Sequence, residues 1–428
     1  MDTRTVQAPG SEADTSNPRM KLVVIGNGMA GIRAVEELLR LAPDLYDITV
    51  FGAEPHPNYN RILLSPVLAG EQTIEQIILN PLQWYEDHGI KLHLGKAVVD
   101  VDRRGRRVIA ADGTAEPYDR LLIATGSNPF ILPVPGKDLE GVISYRDIRD
   151  TNTMIDAATQ YRHAVVIGGG LLGLEAANGL AVRGMQVTVV HIATWLMDRQ
   201  LDETAGKLLQ QSLETRGLKF RIGAHTESLV PDKDGRVMAV RLKGGEEIPA
   251  DLVVMAAGIR PNTGLAEKIG LHCSRGIVVN DTMQTITDPR IYSVGECAAH
   301  RGIAYGLVAP LFEQGKVCAT HLAQFGIGRY QGSQTSTKLK VTGIDLFSAG
   351  NFAGASSGRA EDADCEEIVM SDPVGGVYKK LVIQGDKLVG ACLYGDTVDG
   401  SWYYKLLRDG RAIGDIRDKL MFGESNIG

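Results

Sequence analysis

Cysteine is scarce in this chain of 428 residues: Cys273, Cys297, Cys318, Cys365 and Cys392 are all there are. No pair has C-x-x-C spacing, which argues against a disulfide framework, a zinc site or a cysteine-ligated iron–sulfur cluster held by this chain. The scattered thiols are expected to be small buried hydrophobes in a protein of the reducing cytoplasm. Long apolar runs are missing as well: no stretch of about 18 apolar residues occurs, so no helix is expected to span a membrane. Nor is there an excess of positive charge. With 45 Lys and Arg against 52 Asp and Glu, a net charge of -7 gives no reason to expect nucleic acid or an anionic membrane as a partner. Residues 1–19 are polar, carry acids and have no apolar centre, so they read as a disordered tail and not as a signal or transit peptide.

Glycine, by contrast, is plentiful at 50 residues, and two clusters of it organise the chain. Val23-Val24-Ile25-Gly26-Asn27-Gly28-Met29-Ala30-Gly31 and Val165-Val166-Ile167-Gly168-Gly169-Gly170-Leu171-Leu172-Gly173 are near copies. Each is a β-branched run ending in G-x-G-x-x-G and entering a helical pattern. In such a turn the first glycine makes the bend and the second lets the backbone approach a pyrophosphate. The third lets the helix pack on its strand, with the anion at the positive helix end. Both copies precede a second strand, expected at 47–51 and 186–190, so the context the motif needs is met twice. Two nucleotide sites are therefore expected, on two Rossmann-like α/β domains.

Further residues fall into place along the chain. Glu54, just past the second strand, is a candidate for the adenosine ribose of the first nucleotide. The loop from Asn58 to Pro66 suits a flavin, with Arg61 a candidate for the pyrophosphate or the isoalloxazine edge. Strands expected at 118–125 and 250–257 end in Ala124-Thr125-Gly126 and Ala256-Ala257-Gly258, where the chain would leave one nucleotide domain for the next. Gly295 and Glu296 end a turn-and-strand suited to a ribityl chain. A helix begins near Val308 and Ala309 with proline in its first turn, and its N-terminus can face flavin N1, where negative charge appears on reduction. At the second site, His191 stands where an acid would select NADH. It is either neutral to both nicotinamide nucleotides or faces a 2′-phosphate with Arg199 as helper, and NADH against NADPH stays open. Glu175 is a candidate nicotinamide contact, or else an acid favoured early in a helix. Arg103-Arg104-Gly105-Arg106-Arg107 reads as a solvated hairpin turn, with a docking patch for an acidic partner as the alternative. From about 332 the pattern changes to strands, with a hairpin around Gln384-Gly385-Asp386-Lys387 and a short helix at 400–408 whose Trp402, Tyr403 and Tyr404 are expected to pack a small domain, with a cover over the flavin as the alternative.

The two fingerprints, the two strand ends and Ser293-Val294-Gly295-Glu296-Cys297 resemble the two-dinucleotide-domain flavoprotein reductases of the glutathione reductase class. More closely, Phe51-Gly52-Ala53-Glu54-Pro55-His56, Asn58-Tyr59-Asn60-Arg61-Ile62-Leu63-Leu64-Ser65, Arg199-Gln200-Leu201-Asp202, Gly258-Ile259-Arg260-Pro261 and Tyr305-Gly306-Leu307-Val308-Ala309-Pro310 resemble the N-terminal half of the large subunit of assimilatory NAD(P)H nitrite reductase. The resemblance runs from residue 20 to the C-terminus. It implies FAD at Gly26, Gly28, Met29, Ala30, Gly31, Glu54, Arg61, Ala124, Thr125, Gly126, Gly295, Glu296, Val308 and Ala309. It implies NAD(P)H at Gly168, Gly170, Leu171, Leu172, Gly173, Glu175, His191, Arg199 and Gly258, with no metal and no certain catalytic side chain.

The domains expected are a tail (1–19), an FAD domain (20–144 and 259–331), an NAD(P) domain (145–258) and a C-terminal α+β domain (332–428). Members of that family continue into segments that hold an iron–sulfur cluster and siroheme. This chain stops at Gly428, so nitrite reduction by this chain alone is not expected. Thiol-using cousins carry cysteines near the flavin, in the region that here holds none. The expected activity is hydride transfer from NAD(P)H to FAD followed by delivery to an electron-accepting metalloprotein, as an electron-transfer subunit of nitrate or nitrite assimilation and in a hetero- or homo-oligomer. The alternatives are a free-standing ferredoxin or rubredoxin reductase, and a redox-responsive flavoprotein that acts by binding a partner.

Overall fold

The computed structural model describes residues 5–6, 19–341, 343–357, 362 and 364–426. The chain divides into two compact units, one of 1–64, 72–128 and 259–333, the other of 65–71, 129–258 and 334–428. Residues 65–71 and 129–144, expected with the first nucleotide domain, cluster in the second unit. So does the C-terminal segment.

In the first unit a parallel sheet is built on β1 (Met20–Ile25), β2 (Tyr46–Phe51), β3 (Lys91–His93) and β4 (Arg120–Ile123), in the order β3-β2-β1-β4. A further strand, Ile291–Ser293, lies beside β4. The fingerprint strand is central, buried on both faces, as the near-continuous Leu22-Val23-Val24-Ile25 run requires. Thr5–Val6, inside the expected disordered tail, pairs antiparallel with β3; the rest of 1–18 lies outside the described residues. The helix α1 (Met29–Leu41) follows the first glycine turn. A second helix, Val308–Leu322, packs on it, and the approach at its Gly315 is close: a Cβ there would lie 3.3 Å from the Ala34 amide nitrogen.

The second unit repeats the design. Its sheet runs β8 (Lys219–Ile222), β7 (Gln186–His191), β6 (His163–Ile167), β9 (Leu252–Met255), β5 (Val142–Ser144), all parallel, with α2 (Leu171–Val182) after the glycine turn. The outermost place beside β9 is taken by a strand that precedes the fingerprint in sequence. In the first unit a strand near residue 291 has that place.

The C-terminal part of this unit is an antiparallel sheet of β10 (Ser336–Val341), β11 (Ile344–Gly350), β12 (Glu366–Asp372), β13 (Val377–Gln384) and β14 (Lys387–Tyr394). The hairpin turns on Gly385-Asp386, with Gln384 paired to Lys387 and Gly385 at φ +60°, as the sequence predicts. The helix Gly400–Asp409 covers one face: Tyr403 is fully buried and donates to the Leu420 carbonyl at 2.8 Å, so it packs the domain as expected. This sheet is tied to the nucleotide part of the same unit through Asp202. That carboxylate accepts from the Tyr378 hydroxyl at 2.6 Å and from the Ala205 amide, capping the helix Glu203–Glu214.

Candidate functional site

The two glycine turns pass the same three steric tests. Gly26 and Gly168 lie at φ +112° and +125°, where side chains are strained, and a Cβ on either would sit 2.2 Å from the carbonyl oxygen of Ala124 or Ala256. Gly31 and Gly173 bring the helix onto its strand: a Cβ would lie 2.9 Å from the Gly26 oxygen in one case and 1.9 Å from the Gly168 oxygen in the other. Gly28 and Gly170 are different. A Cβ on either meets nothing within 4 Å, so the only thing a side chain would fill is the cradle in front of the helix end.

That helix end is electrostatically prepared in both copies. Among the described residues, α1 and α2 have no side-chain cap and no acid in the first turn. The helices Ile148–Gln160 and Glu203–Glu214, which start elsewhere in the second unit, are capped by Asp147 and Asp202 and carry Asp150 and Glu203 in their first turns. An uncapped N-terminus with free N–H groups and no local carboxylate suits an external anion. Met29 and Ala30, and Leu171 and Leu172, open these helices half-buried. The residues present therefore fit a dinucleotide pyrophosphate at each turn.

Around the first turn the structure brings together Glu54 and Arg61, 2.7 Å apart, with the Tyr59 hydroxyl donating to the same carboxylate at 2.8 Å. Asn27 is held by Tyr85, which sequence reasoning did not single out, and by Asn58 of the expected flavin loop. Its Oδ1 accepts from the buried Tyr85 hydroxyl at 2.7 Å, and its carbonyl accepts from Asn58 at 2.9 Å. At the end of β4, the Thr125 hydroxyl donates to the Asn262 carbonyl at 2.8 Å and Gly126 lies at φ +67°. Gly295, at φ +91°, donates its amide to Oε1 of Gln314 at 2.9 Å; Gln314 is fully buried and was also missed. Glu296 accepts from the Ser127 hydroxyl at 2.8 Å. Val308 and Ala309 open a helix that, among the described residues, has no side-chain cap and no acid in its first turn.

Around the second turn, Glu175 is bonded by the Ser65 hydroxyl at 2.6 Å, and Ser65 in turn accepts from the buried Tyr145 hydroxyl at 3.3 Å. Burial pushes the Glu175 carboxyl above the ordinary range, the Ser65 hydrogen bond partly opposing it. His191 is buried beside the turn, and Gly169 donates its amide to Nδ1 at 3.1 Å. Arg199 is exposed and makes no hydrogen bond or ion pair among the described residues, so it is not brought to His191 as a helper. Gly258, at φ +111°, accepts from the Phe130 amide at 2.9 Å.

Away from the turns, Arg103 to Arg107 form the tip of a hairpin. Arg103, Arg104 and Arg106 line a cleft of about 460 Å³ with Asp288 and Arg290. Cys297, Cys318 and Cys392 are buried, and burial raises the Cys318 thiol and takes Cys392 up to about 12. No group of three or more possible metal ligands occurs among the described residues. No helix there is long and apolar enough to cross a membrane.

Comparison with known proteins adds family and scale. Residues 20–324 match the family model described as pyridine nucleotide-disulphide oxidoreductase, and residues 336–411 match the rubredoxin NAD+ reductase C-terminal domain. The chain is 52% identical to the Bacillus subtilis nitrite reductase [NAD(P)H] over 91% of its own length and 47% of that relative. It is 48% identical to the assimilatory nitrate reductase electron transfer subunit of the same organism, over 89% of this chain and 48% of that one. It thus spans about half the length of these curated relatives. The putidaredoxin reductase–putidaredoxin complex aligns with a TM-score of 0.84 at 27% identity, covering 96% of this chain and 97% of that chain.

Proposed function

The chain belongs to the pyridine nucleotide-disulphide oxidoreductase family, and on that premise we propose that it passes electrons from NAD(P)H through FAD to a redox centre on another protein, as the electron-transfer component of nitrate or nitrite assimilation. In this reading 20–144 with 259–331 holds FAD, 145–258 holds NAD(P)H, and 332–428 forms the third domain. The observation that carries it is the repeated turn: two helix ends, uncapped and free of acids, each behind a glycine whose missing side chain leaves room for a pyrophosphate.

The roles of the chain's own residues are to bind and orient. Gly26, Gly28 and Gly31 fix the first turn, Glu54 and Arg61 form a bonded pair beside it, and Gln314 holds the Gly295 amide in place. Bound FAD would supply the hydride-accepting chemistry, and the uncapped start of the Val308 helix offers positive potential to the charge that develops. Glu175, held by Ser65, stands for the nicotinamide side. No thiol relay is needed: Cys297, Cys318 and Cys392 are buried, and burial raises the thiols of Cys273 and Cys365. The cytoplasm, where NAD(P)H is supplied, is the compartment this reading requires.

Anaerobic addition of NADH or NADPH to the FAD-loaded protein should bleach the flavin absorbance, and an artificial one-electron acceptor should restore it. A protein that stays colourless after refolding with FAD, or that retains its electrons on a cysteine, overturns the proposal. The match of 336–411 to a rubredoxin reductase domain favours a second reading, a free-standing reductase of a small iron–sulfur protein. Co-purification with a siroheme or molybdenum subunit from nitrate-grown cells selects the first reading over the second.

A further inference from the structure

The nicotinamide nucleotide can be named more closely, provided that the second glycine turn holds it as proposed above. In a strand–turn–helix–strand nucleotide unit the adenosine ribose lies past the end of the second strand. A carboxylate there bonds a free 2′-hydroxyl, whereas a cation accommodates a 2′-phosphate. The second strand here, β7, ends in His191, which is buried and offers no carboxylate. The Gly169 amide can only donate, and it donates to Nδ1; the ring proton therefore stands on Nε2. Nε2 faces Asp198 Oδ1 at 3.2 Å. Both ring nitrogens are thus engaged, one by the glycine turn and one by an acid seven residues further along. The Asp198 side chain is 35% exposed, and its Oδ2 makes no hydrogen bond among the described residues.

We propose that Asp198 is the acceptor for the adenosine 2′-hydroxyl, that His191 is its positioning residue, and that the protein therefore selects NADH over NADPH. The acid expected at the strand end is present after all, delivered from the following loop and held in place by the histidine that replaced it. A 2′-phosphate brought to this carboxylate meets a like charge, which is the repulsive element that discrimination needs. Arg199 is the competing determinant, and it differs from Asp198 in being exposed and unanchored.

The test compares the unaltered FAD-loaded protein with Asp198→Asn and Arg199→Ala, using NADH and NADPH with an artificial acceptor. Binding of ADP-ribose and 2′-phospho-ADP-ribose is measured by calorimetry alongside. Loss of one charge-assisted hydrogen bond should lower kcat/KM for NADH about tenfold in Asp198→Asn, through KM with kcat unchanged. NADPH should be unaffected or improved, and the gap between the two ADP-riboses should narrow by the same factor. Arg199→Ala should keep the preference for NADH. Preference for NADPH in the unaltered protein, an equal loss for both nucleotides in Asp198→Asn, or a switch carried by Arg199→Ala each overturns the assignment. The calorimetry does not depend on flavin reduction. Selective ADP-ribose binding without reduction would therefore sink the electron-transfer reading and leave this one standing, while absence of binding sinks both.

Discussion

The two glycine turns differ by an exchange of bulk. In the first, the residue between the glycines is Asn27, and the residue after the neighbouring strand is Gly52, whose absent Cβ would sit 3.1 Å from that of Asn27. In the second, the residue between the glycines is Gly169 and the strand end is His191; a Cβ on Gly169 would lie 2.8 Å from the imidazole Cγ and 2.7 Å from Leu196 Cδ2. One space is filled from the turn in the first unit and from the strand end in the second. The backbone constraints that suit a pyrophosphate are shared, so they cannot distinguish one nucleotide from another. What does differ is the exchanged pair and its partners: Tyr85 and Asn58 on Asn27, Asp198 on His191.

The largest effect comes from breaking the symmetry at the glycines that face open space. A Cβ at position 170 meets no protein atom within 4 Å, so the fold should survive Gly170→Val while NADH-driven flavin reduction falls by two orders of magnitude or more, on the order of the full value of a pyrophosphate contact. Flavin should remain bound. Gly28→Val should do the reverse, yielding folded, colourless protein that still binds ADP-ribose. Visible absorbance and nucleotide binding measured on both variants decide it, and loss of flavin from Gly170→Val would show that the two sites have been interchanged.

The exchange itself is tested next. Gly169→Ala drives a methyl group into His191 and Leu196 and should cost about 1–3 kcal/mol of stability in urea unfolding, by overpacking. In a His191→Gly background the same change should cost markedly less, because the ring that it strikes is gone, and the difference is the coupling energy of the pair. Costs that simply add would show that the imidazole does not occupy the space left by Gly169. Asn27 supplies the contrast: its side chain is already accommodated, so Asn27→Ala should lose hydrogen bonds, not gain strain.

What the sequence made legible follows the same division. Turn glycines, the strands before and after them, and the hairpin at Gly385 are local patterns, and the structure places them where their spacing predicts. Tyr85 reaches Asn27 across 58 positions, and Ser65 reaches Glu175 across 110, so no periodicity could announce either contact. Gln314 was invisible for another reason: a polar residue within an apolar helix face reads as surface until a buried amide, here that of Gly295, is found to need it. Asp198 has no signature of its own in the sequence: it lies in a loop seven residues past the strand end and meets His191 only through the fold.

The smallest effect separates the two units by pH. Glu175 sits beside the second turn with its carboxyl raised by burial, whereas the acid beside the first, Glu54, is bonded to Arg61. A carboxyl whose folded pKa is raised binds its proton more tightly in the native than in the unfolded chain, so stability falls as pH rises from the ordinary value of 4.5 toward the raised one, and is constant above it. Glu175→Gln should remove that decline, and its Tm relative to the unaltered protein should therefore rise across this window. Ser65→Ala takes away the hydroxyl that favours the ionised form, pushing the carboxyl further up and extending the decline to higher pH. Tm measured against pH for the three proteins checks both signs, and parallel curves for the unaltered protein and Glu175→Gln would mean that the carboxyl titrates normally and is more hydrated than its surroundings indicate.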